Sequence, residues 1–491
     1  MSRPGQLFSI RQIIAMVLLI LVIVAGNIGL YHQYKPLPLG LSFQGNTHPV
    51  ADGQAQFLYD LTRHDDSTVL LRHEIFDSVF ALIDRAERYI LVDMFLINGD
   101  AGRSTRRYRP LSGELADHLI NRKKAVPSLN IDVITDPINT VYGGAPSPVV
   151  DRLQQAGINV IVTDLGPLRD SNRLYSPFWR CFAAWMKNTP RRGLLPHPFS
   201  SSGPRVTLRS YLALLNFKAN HRKVLLTEAK GSLNAVVASA NAHDASAEHS
   251  NTAIRISGTV CTDIYTCEAA VARFSGGTLS KLPETPAPEK SGVASGAAAV
   301  YSEGAIKTVL LERLTEAPSG SRIFLALFYL SDRAIIKALG TAARQGTPVT
   351  VVLDRNTNAF GYTKRGIPNM PVADELIKSG CCVLLYRTHD EQFHTKLVLI
   401  DYPSDSLWCM TGSANYTRRN IGNLNLELSA AVTCKKTTPL ARSILSYQNL
   451  LTSNPDSIPY TVTATDVGVP LSTTFGYLRY RFFEASGFSS F

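Results

Sequence analysis

Asn220-His221-Arg222-Lys223-Val224-Leu225-Leu226 and Phe393-His394-Thr395-Lys396-Leu397-Val398-Leu399-Ile400 are two versions of one phrase, a His and a Lys two residues apart at the head of an apolar run. Such a run reads as a strand, and on a strand residues i and i+2 share a face. The imidazole and the ammonium of each copy therefore point the same way. Each copy is followed by a Ser-x-Asn triplet, Ser239-Ala240-Asn241 in the first and Ser413-Ala414-Asn415, preceded by Gly412, in the second. Two strands of this kind brought together place two His and two Lys around one pocket.

Such a pocket suits a phosphodiester, which is anionic and gains charge on its non-bridging oxygens under nucleophilic attack. Lys223, Lys396 and donors from Ser239, Ser413, Asn241 and Asn415 would stabilise that charge. One neutral imidazole can attack phosphorus to form a phosphohistidine. The other, protonated, gives its proton to the leaving alkoxide and later deprotonates the acceptor. This chemistry requires no metal and no cofactor. A single His-x-Lys reads as an ordinary half-exposed strand, because short motifs specify sites loosely; the matched second copy changes that reading.

The duplication extends beyond the motifs. An amphipathic helix at 75–84 and strands at Tyr89-Ile-Leu-Val-Asp-Met-Phe-Leu and Ile131-Asp-Val-Ile-Thr-Asp are echoed by a helix at 306–314 and strands at Ile323-Phe-Leu-Ala-Leu-Phe-Tyr-Leu and Val349-Thr-Val-Val-Leu-Asp. Asp136 and Asp354 fall at equivalent strand ends, and the segments beginning at Val149 and Val372 match again. Strands alternating with helices predict an α/β protein, two pseudo-symmetric lobes with mixed, largely parallel sheets flanked by helices. The site would lie between the lobes. The chain of 491 residues divides into an N-terminal anchor or signal segment (1–36), a first lobe (40–281), a Pro/Ala/Ser-rich linker (282–298), a second lobe (299–460) and a tail (461–491) expected to add an edge strand.

Ile13 to Tyr31 is uncharged and apolar, preceded by Arg3 and Arg11. Its length approaches the ~20 residues that span a bilayer, and the positive flank predicts a cytoplasmic N-terminus with exported lobes. A cleavable signal peptide, cut near Val24-Ala25-Gly26, is the competing reading. Seven cysteines leave at least one unpaired; Cys261 and Cys267 are close enough for a small-loop disulfide in an exported lobe, and Cys381-Cys382 reads as buried thiols in a strand.

A net charge of +11 suits an anionic partner, either a phospholipid surface or nucleic acid. The clusters Arg103, Arg106, Arg107, Arg109 and Arg122, Lys123, Lys124 read as solvated faces. An insertion found only in the first half interleaves Tyr175, Phe178, Trp179, Phe182 and Trp185 with Arg169, Arg173, Arg180, Lys187, Arg191 and Arg192. That mixture fits a bilayer interface, although Phe178, Phe182 and Trp185 also follow the spacing of a buried helical face.

The two motifs resemble those of the phospholipase D superfamily: His-x-Lys, four residues and an Asp, then Gly-Ser-x-Asn, matched in full by His394, Lys396, Asp401, Gly412, Ser413 and Asn415. The first copy has Glu228 for the Asp and Ala238 for the Gly. Strand alternation turns Glu228 and Asp401 away from the His and Lys, so both are expected to be supporting residues. The resemblance implies an acidic residue after the Asn that orients a catalytic imidazole. Glu427 fills that role in the second copy; equal counting gives Ala253 in the first, with Asn251, His249 and Asp244 nearby. His221 is expected as nucleophile and His394 as general acid.

Within that superfamily, Asn-His-Arg-Lys and the two-lobe chain look like bacterial cardiolipin synthases. The resemblance implies a membrane-anchored enzyme that hydrolyses or transfers phospholipid phosphodiesters, with phospholipid and membrane as its partners. An exported nuclease is the alternative, in which nucleic acid is the partner. An inactive lipid-binding scaffold is the third reading, and the intact His221, Lys223, His394 and Lys396 argue against it.

Overall fold

A computed structural model describes residues 9–64, 69–102, 104, 106–186, 188–190, 193–284, 294–359, 362–363, 365–455, 458–467 and 473–489. Arg3, Arg103, Lys187, Arg191, Arg192 and linker residues 285–293 lie outside them.

Each half builds one sheet, and the two sheets repeat one order. In the first, strands Val69–Arg72, Ala55–His64, Asn251–Ser257, Ser232–Ala238, Lys223–Ala229, Tyr89–Met94, Asn130–Thr135 and Asn159–Val162 lie side by side. In the second the order is His48–Val50, Gly296–Ser302, Leu428–Lys435, Ser406–Gly412, Lys396–Asp401, Arg322–Leu327, Val349–Leu353, Cys382–Tyr386 and Thr461–Thr463. The sheets are mixed, but parallel pairing is confined to Tyr89–Met94, Asn130–Thr135 and Asn159–Val162 and their counterparts Arg322–Leu327, Val349–Leu353 and Cys382–Tyr386. The expectation of largely parallel sheets is corrected here. Only the first part of each lobe alternates strand and helix. From the His-x-Lys strand onward the chain returns by hairpins, which are antiparallel. At Ala229–Ser232 the turn residues Lys230 (φ 51°) and Gly231 (φ 75°) are both left-handed, the combination that closes a two-residue hairpin.

The sheets pack face to face. Val224, Leu226, Ile254, Leu397, Leu399 and Val432 share one buried cluster with helices Val260–Phe274 and Pro439–Ser453, while Leu225 and Val398 face the opposite way, into the clusters beneath the outer helices. The period-two alternation of the motif strands thus separates an inter-lobe core from a helix-covered face.

Residues His48–Val50, within the stretch assigned by sequence to the first lobe, pair with Gly296–Ser302 of the second sheet. The tail does supply an edge strand, Thr461–Thr463, and then forms helix Thr474–Ser486, which weak alternation had not signalled. All seven cysteines are free. Cys261 and Cys267 are not bridged; both lie buried on one helix, Val260–Phe274. Of the adjacent pair, Cys381 is buried and Cys382 exposed, as successive strand residues are.

Helix Ile10–Tyr34, with mean hydropathy 2.9, is long and apolar enough to cross a membrane by length and composition. Its 25 residues extend roughly 37 Å at 1.5 Å per residue, against ~30 Å of hydrocarbon. Its C-terminal end is tied to the insertion: Asp170 N donates to His32 O (3.0 Å), Arg169 Nε to Lys35 O (2.8 Å) and Lys35 Nζ to Gly166 O (3.0 Å).

Candidate active site

The motif strands enter the lobe interface through matched contacts. Residues around Asn220 run beside Leu426 and those around Phe393 beside Ser250, each as a short parallel bridge to the other lobe. His221 N donates to Leu426 O (2.9 Å) and His394 N to Ser250 O (2.8 Å). The two aspartates read as equivalent strand ends complete the match. Asp136 Oδ2 accepts from Asn220 N and Asp354 Oδ2 from Phe393 N, both at 2.7 Å, so each holds the amide just before a motif His.

That crossing decides which group orients which imidazole. Glu427, in the second lobe, faces His221 of the first, its Oε1 3.0 Å and Oε2 3.2 Å from Nδ1. Asn251, in the first lobe, faces His394 of the second, with Oδ1 3.1 Å from Nδ1. Equal counting pointed to Ala253; the first copy is two residues shorter, and Asn251 is the counterpart of Glu427. Glu427 also accepts from Ser413 Oγ and Asn420 Nδ2, while Asn251 Oδ1 accepts from Ser239 Oγ (2.9 Å). Ser239 and Ser413, expected to donate to a substrate, instead stand behind the orienting groups and donate to them. Both lie outside the cavity lining.

His221, His394, Asn241 and Asn415 line a cavity of about 540 Å³ between the lobes. The Oδ1 atoms of Asn241 and Asn415 are buried without a protein partner, leaving two carboxamides aimed at whatever fills the space. Lys223 and Lys396 are buried just beneath; each ammonium donates to the carbonyl of its own motif His. Each also lies over an aromatic ring, Lys223 4.9 Å from Phe95 and Lys396 5.2 Å from Phe328. The same rings meet His221 and His394, with centroids 4.9 Å apart in both lobes. Sequence reading missed this matched pair, whose signal is an aromatic one residue past equivalent strands, Met94-Phe95 and Leu327-Phe328.

Burial sets the electrostatics. It pushes His221 down to about 4 against the pull of Glu427, and also holds His394 well below its ordinary value, with Lys396 and His249 adding to the effect. Glu427 is held below its ordinary value despite burial, chiefly by His221 and Lys223. At neutral pH His221 is therefore an unprotonated imidazole whose Nδ1–H is held by a carboxylate, leaving Nε2 as a nucleophile. Burial also lowers Lys223 to about 7, and lowers Lys396, with the Lys223 charge contributing.

Glu228 and Asp401 occupy the other strand face, as alternation requires. Glu228 takes Arg88 Nε and Nη2, both at 2.9 Å, and Asp401 takes Arg322 and Lys436. Between His221 and Lys223, buried Arg222 bridges Glu268 (3.1 Å) and Glu303 (2.6 Å), an ion triad across the lobes that the motif alone did not signal. Arg106 and Arg109 are paired locally with Glu248 and Glu114, and Arg122 and Lys123 cap backbone carbonyls.

Most of the remaining wall surface is apolar, with Leu96, Ile138, Phe199, Leu214, Phe217 and Tyr329 in it, while Asn98, Asp100, His249, Gln392, Lys218 and Arg419 add polar and charged groups. Phe199, Leu214 and Phe217 come from the insertion. Its aromatic stripe does not bury a helical face: Phe178, Phe182 and Trp185 are 48%, 52% and 77% exposed, on the element that receives the end of helix Ile10–Tyr34.

Residues 310–446, which include His394, Lys396, Asn415 and Glu427, match the family model described as cardiolipin synthase, PLD-like domain. Among solved structures, phosphatidylserine synthase from Haemophilus influenzae Rd KW20 superposes with a TM-score of 0.55 at 10% identity, over 91% of this chain and 97% of that one. Polyphosphate kinase from Porphyromonas gingivalis gives a TM-score of 0.44 at 12% identity, over 90% of this chain and 57% of that one. No curated protein matches by sequence. The resemblance to the phospholipase D superfamily thus holds in the sequence of the second lobe, and the fold is shared over both. It supports phosphodiester chemistry as the class of reaction.

Proposed function

We propose that this chain, phospholipase D-like in both lobes, is a membrane-anchored enzyme that hydrolyses or transfers phospholipid phosphodiesters, with phosphatidyl transfer of the cardiolipin-forming kind as the leading case. The observation that carries this reading is the His221–Glu427 pair at the mouth of a largely apolar cavity.

In the proposed reaction His221 Nε2 attacks phosphorus and forms the P–N bond while the bond to the leaving alkoxide breaks. Protonated His394 gives its Nε2 proton to that alkoxide. Glu427 stabilises the positive charge that develops on His221, and Lys223, Lys396, Asn241 and Asn415 face the developing phosphoryl charge. In the second half His394 removes a proton from water or a lipid hydroxyl. The resulting oxygen attacks phosphorus, the P–N bond breaks, and His221 returns neutral. A substrate anion also favours the protonated form of His394, offsetting the burial that lowers it when the cavity holds no anion.

A lipid substrate is supported by the apolar wall from Leu96, Ile138, Phe199, Leu214 and Phe217, which matches acyl chains better than nucleotides. The exposed rings of the insertion and helix Ile10–Tyr34 support docking of the site against a bilayer, with the lobes on the extracytoplasmic side. The test is mass spectrometry of lipid products after incubation with phosphatidylglycerol and phosphatidylethanolamine vesicles, wild type beside His394→Ala. Cardiolipin or phosphatidic acid from wild type alone is the expected result. A folded protein yielding neither, yet cleaving single-stranded nucleic acid, would overturn the lipid assignment.

A further inference from the structure

Outside the cavity, the lobes also meet through a cluster that the proposed phosphodiester chemistry does not use. His64 ends the strand Ala55–His64 of the first lobe, while His389 and Glu391 lie on the second-lobe segment that leads into His394. His64 Nε2 is 2.7 Å from Glu391 Oε2, and the His64 and His389 rings lie 3.9 Å apart, tilted by 31°. One ligand atom from each of the three residues falls within 4.8 Å of the others.

We propose that His64, His389 and Glu391 form a binding site for a divalent transition metal of the zinc class, tying the two lobes together beside the active site. The donor set is the ground for the choice. Two imidazole nitrogens and one carboxylate oxygen suit Zn²⁺, which leaves a fourth tetrahedral position for water, whereas Ca²⁺ and Mg²⁺ prefer oxygen. Ligand atoms about 2.0–2.1 Å from zinc stand roughly 3.3 Å apart, so closure asks for a movement of about 1.5 Å. His389 is exposed and Glu391 buried, so the mobile ring moves toward a fixed carboxylate. A His–Glu hydrogen bond alone gives no reason for a second imidazole stacked on the first.

The site continues a seam of bonds between the lobes. Tyr386 Oη donates to Thr62 O, Thr62 N to Ser250 Oγ (3.1 Å), and Ser250 N to Gln392 O (3.0 Å), ending at the His394 amide on Ser250 O. A metal at His64 would close the outer end of this seam and hold residues 389–394 against the first lobe. Its charge neighbours are Arg387 and Asp390 on the same segment.

The experiment is a calorimetric titration of the full, tag-free chain, stripped with chelator, with ZnCl₂. A single equivalent should bind at micromolar affinity or tighter and raise the thermal midpoint, with no competition from Mg²⁺. His389→Ala and Glu391→Gln should each weaken binding by about tenfold or more, while Cys382→Ser, which removes the exposed thiol, should not change it. Metal-free turnover of His389→Ala should match that of wild type, which excludes misfolding as the cause. Absence of saturable binding, or binding that survives both substitutions, would overturn the proposal.

Discussion

His221 Nδ1 lies 3.0 Å from Glu427 Oε1, so the imidazole of the first lobe is held by a carboxylate carried on the second. At the Nδ1 of its opposite number, His394, stands the neutral amide oxygen of Asn251 in place of a carboxylate. The lobes are alike in fold and unlike in charge, and that difference is the ground for proposing the carboxylate-backed imidazole as the nucleophile.

Glu427→Gln keeps the shape of the contact and removes the charge that draws His221 upward. The expected result is a loss of about 10²–10⁴-fold in kcat/KM, with the acidic limb moving to lower pH because His221 then protonates less readily. A pH–rate profile checks both; a wild-type rate would show that the carboxylate is not coupled to the nucleophile.

Asn251→Asp introduces under His394 the carboxylate that the first copy lacks. A facing anion raises an imidazole pKa by about 1–3 units, so the limb at which the general acid is lost should move to higher pH. Product release measured between pH 5 and 9 gives the shift, and an unmoved limb would deny His394 the acid role.

Lys223→Met should yield a protein that is inactive yet stabilised at low pH. Burial pushes folded Lys223 down to about 7 from its ordinary value of 10.5. Below 7 it is charged in both states, and burying that charge is the cost; between 7 and 10.5 only the unfolded chain holds the proton, so native Lys223 becomes less costly as pH rises. The advantage of Met should shrink across this window in denaturant titrations. A pH-independent difference would contradict the assignment.

Glu228→Asp should be nearly silent in turnover, because the carboxylate points away from the cavity toward Arg88. Glu228→Ala should leave kcat unchanged and cost little stability, because its partner Arg88 is half exposed and water can take the place of the carboxylate. If Glu228→Asp were as inactive as His394→Ala, the strand-alternation reading would be wrong.

Phe178→Ser/Phe182→Ser tests the exposed stripe. Vesicle turnover should fall about tenfold or more, because each ring is already half buried and would add about half of the ~1.5–3 kcal/mol of a full burial. Turnover of a monomeric short-chain phosphodiester should not change. Equal losses on both substrates would place the rings in the catalytic fold instead.

The sequence showed the duplicated motif, the order of elements and the facing of Glu228, because period-two alternation and spacing are local properties. It could not show that the lobes exchange their orienting groups, since Glu427 and His221 are joined only by the packing of two sheets. Asn251 escaped equal counting because a loop two residues shorter shifts the register. Phe95 and Phe328 look in sequence like ordinary apolar strand residues, and the helix–strand rhythm of each half gives no sign of the hairpin closed by Lys230-Gly231, which makes the sheets less parallel than that rhythm predicts.

The short strand His48–Val50, paired with Gly296–Ser302 across the whole first lobe, also imposes an order of manufacture. The ribosome delivers His221 more than two hundred residues before Glu427, and His48–Val50 waits longer still for its partner. An emerging chain therefore holds His221 without its carboxylate and the strand His48–Val50 without its partner. The site between the lobes is complete only after Glu427 has been added, so neither half is a working catalyst by itself.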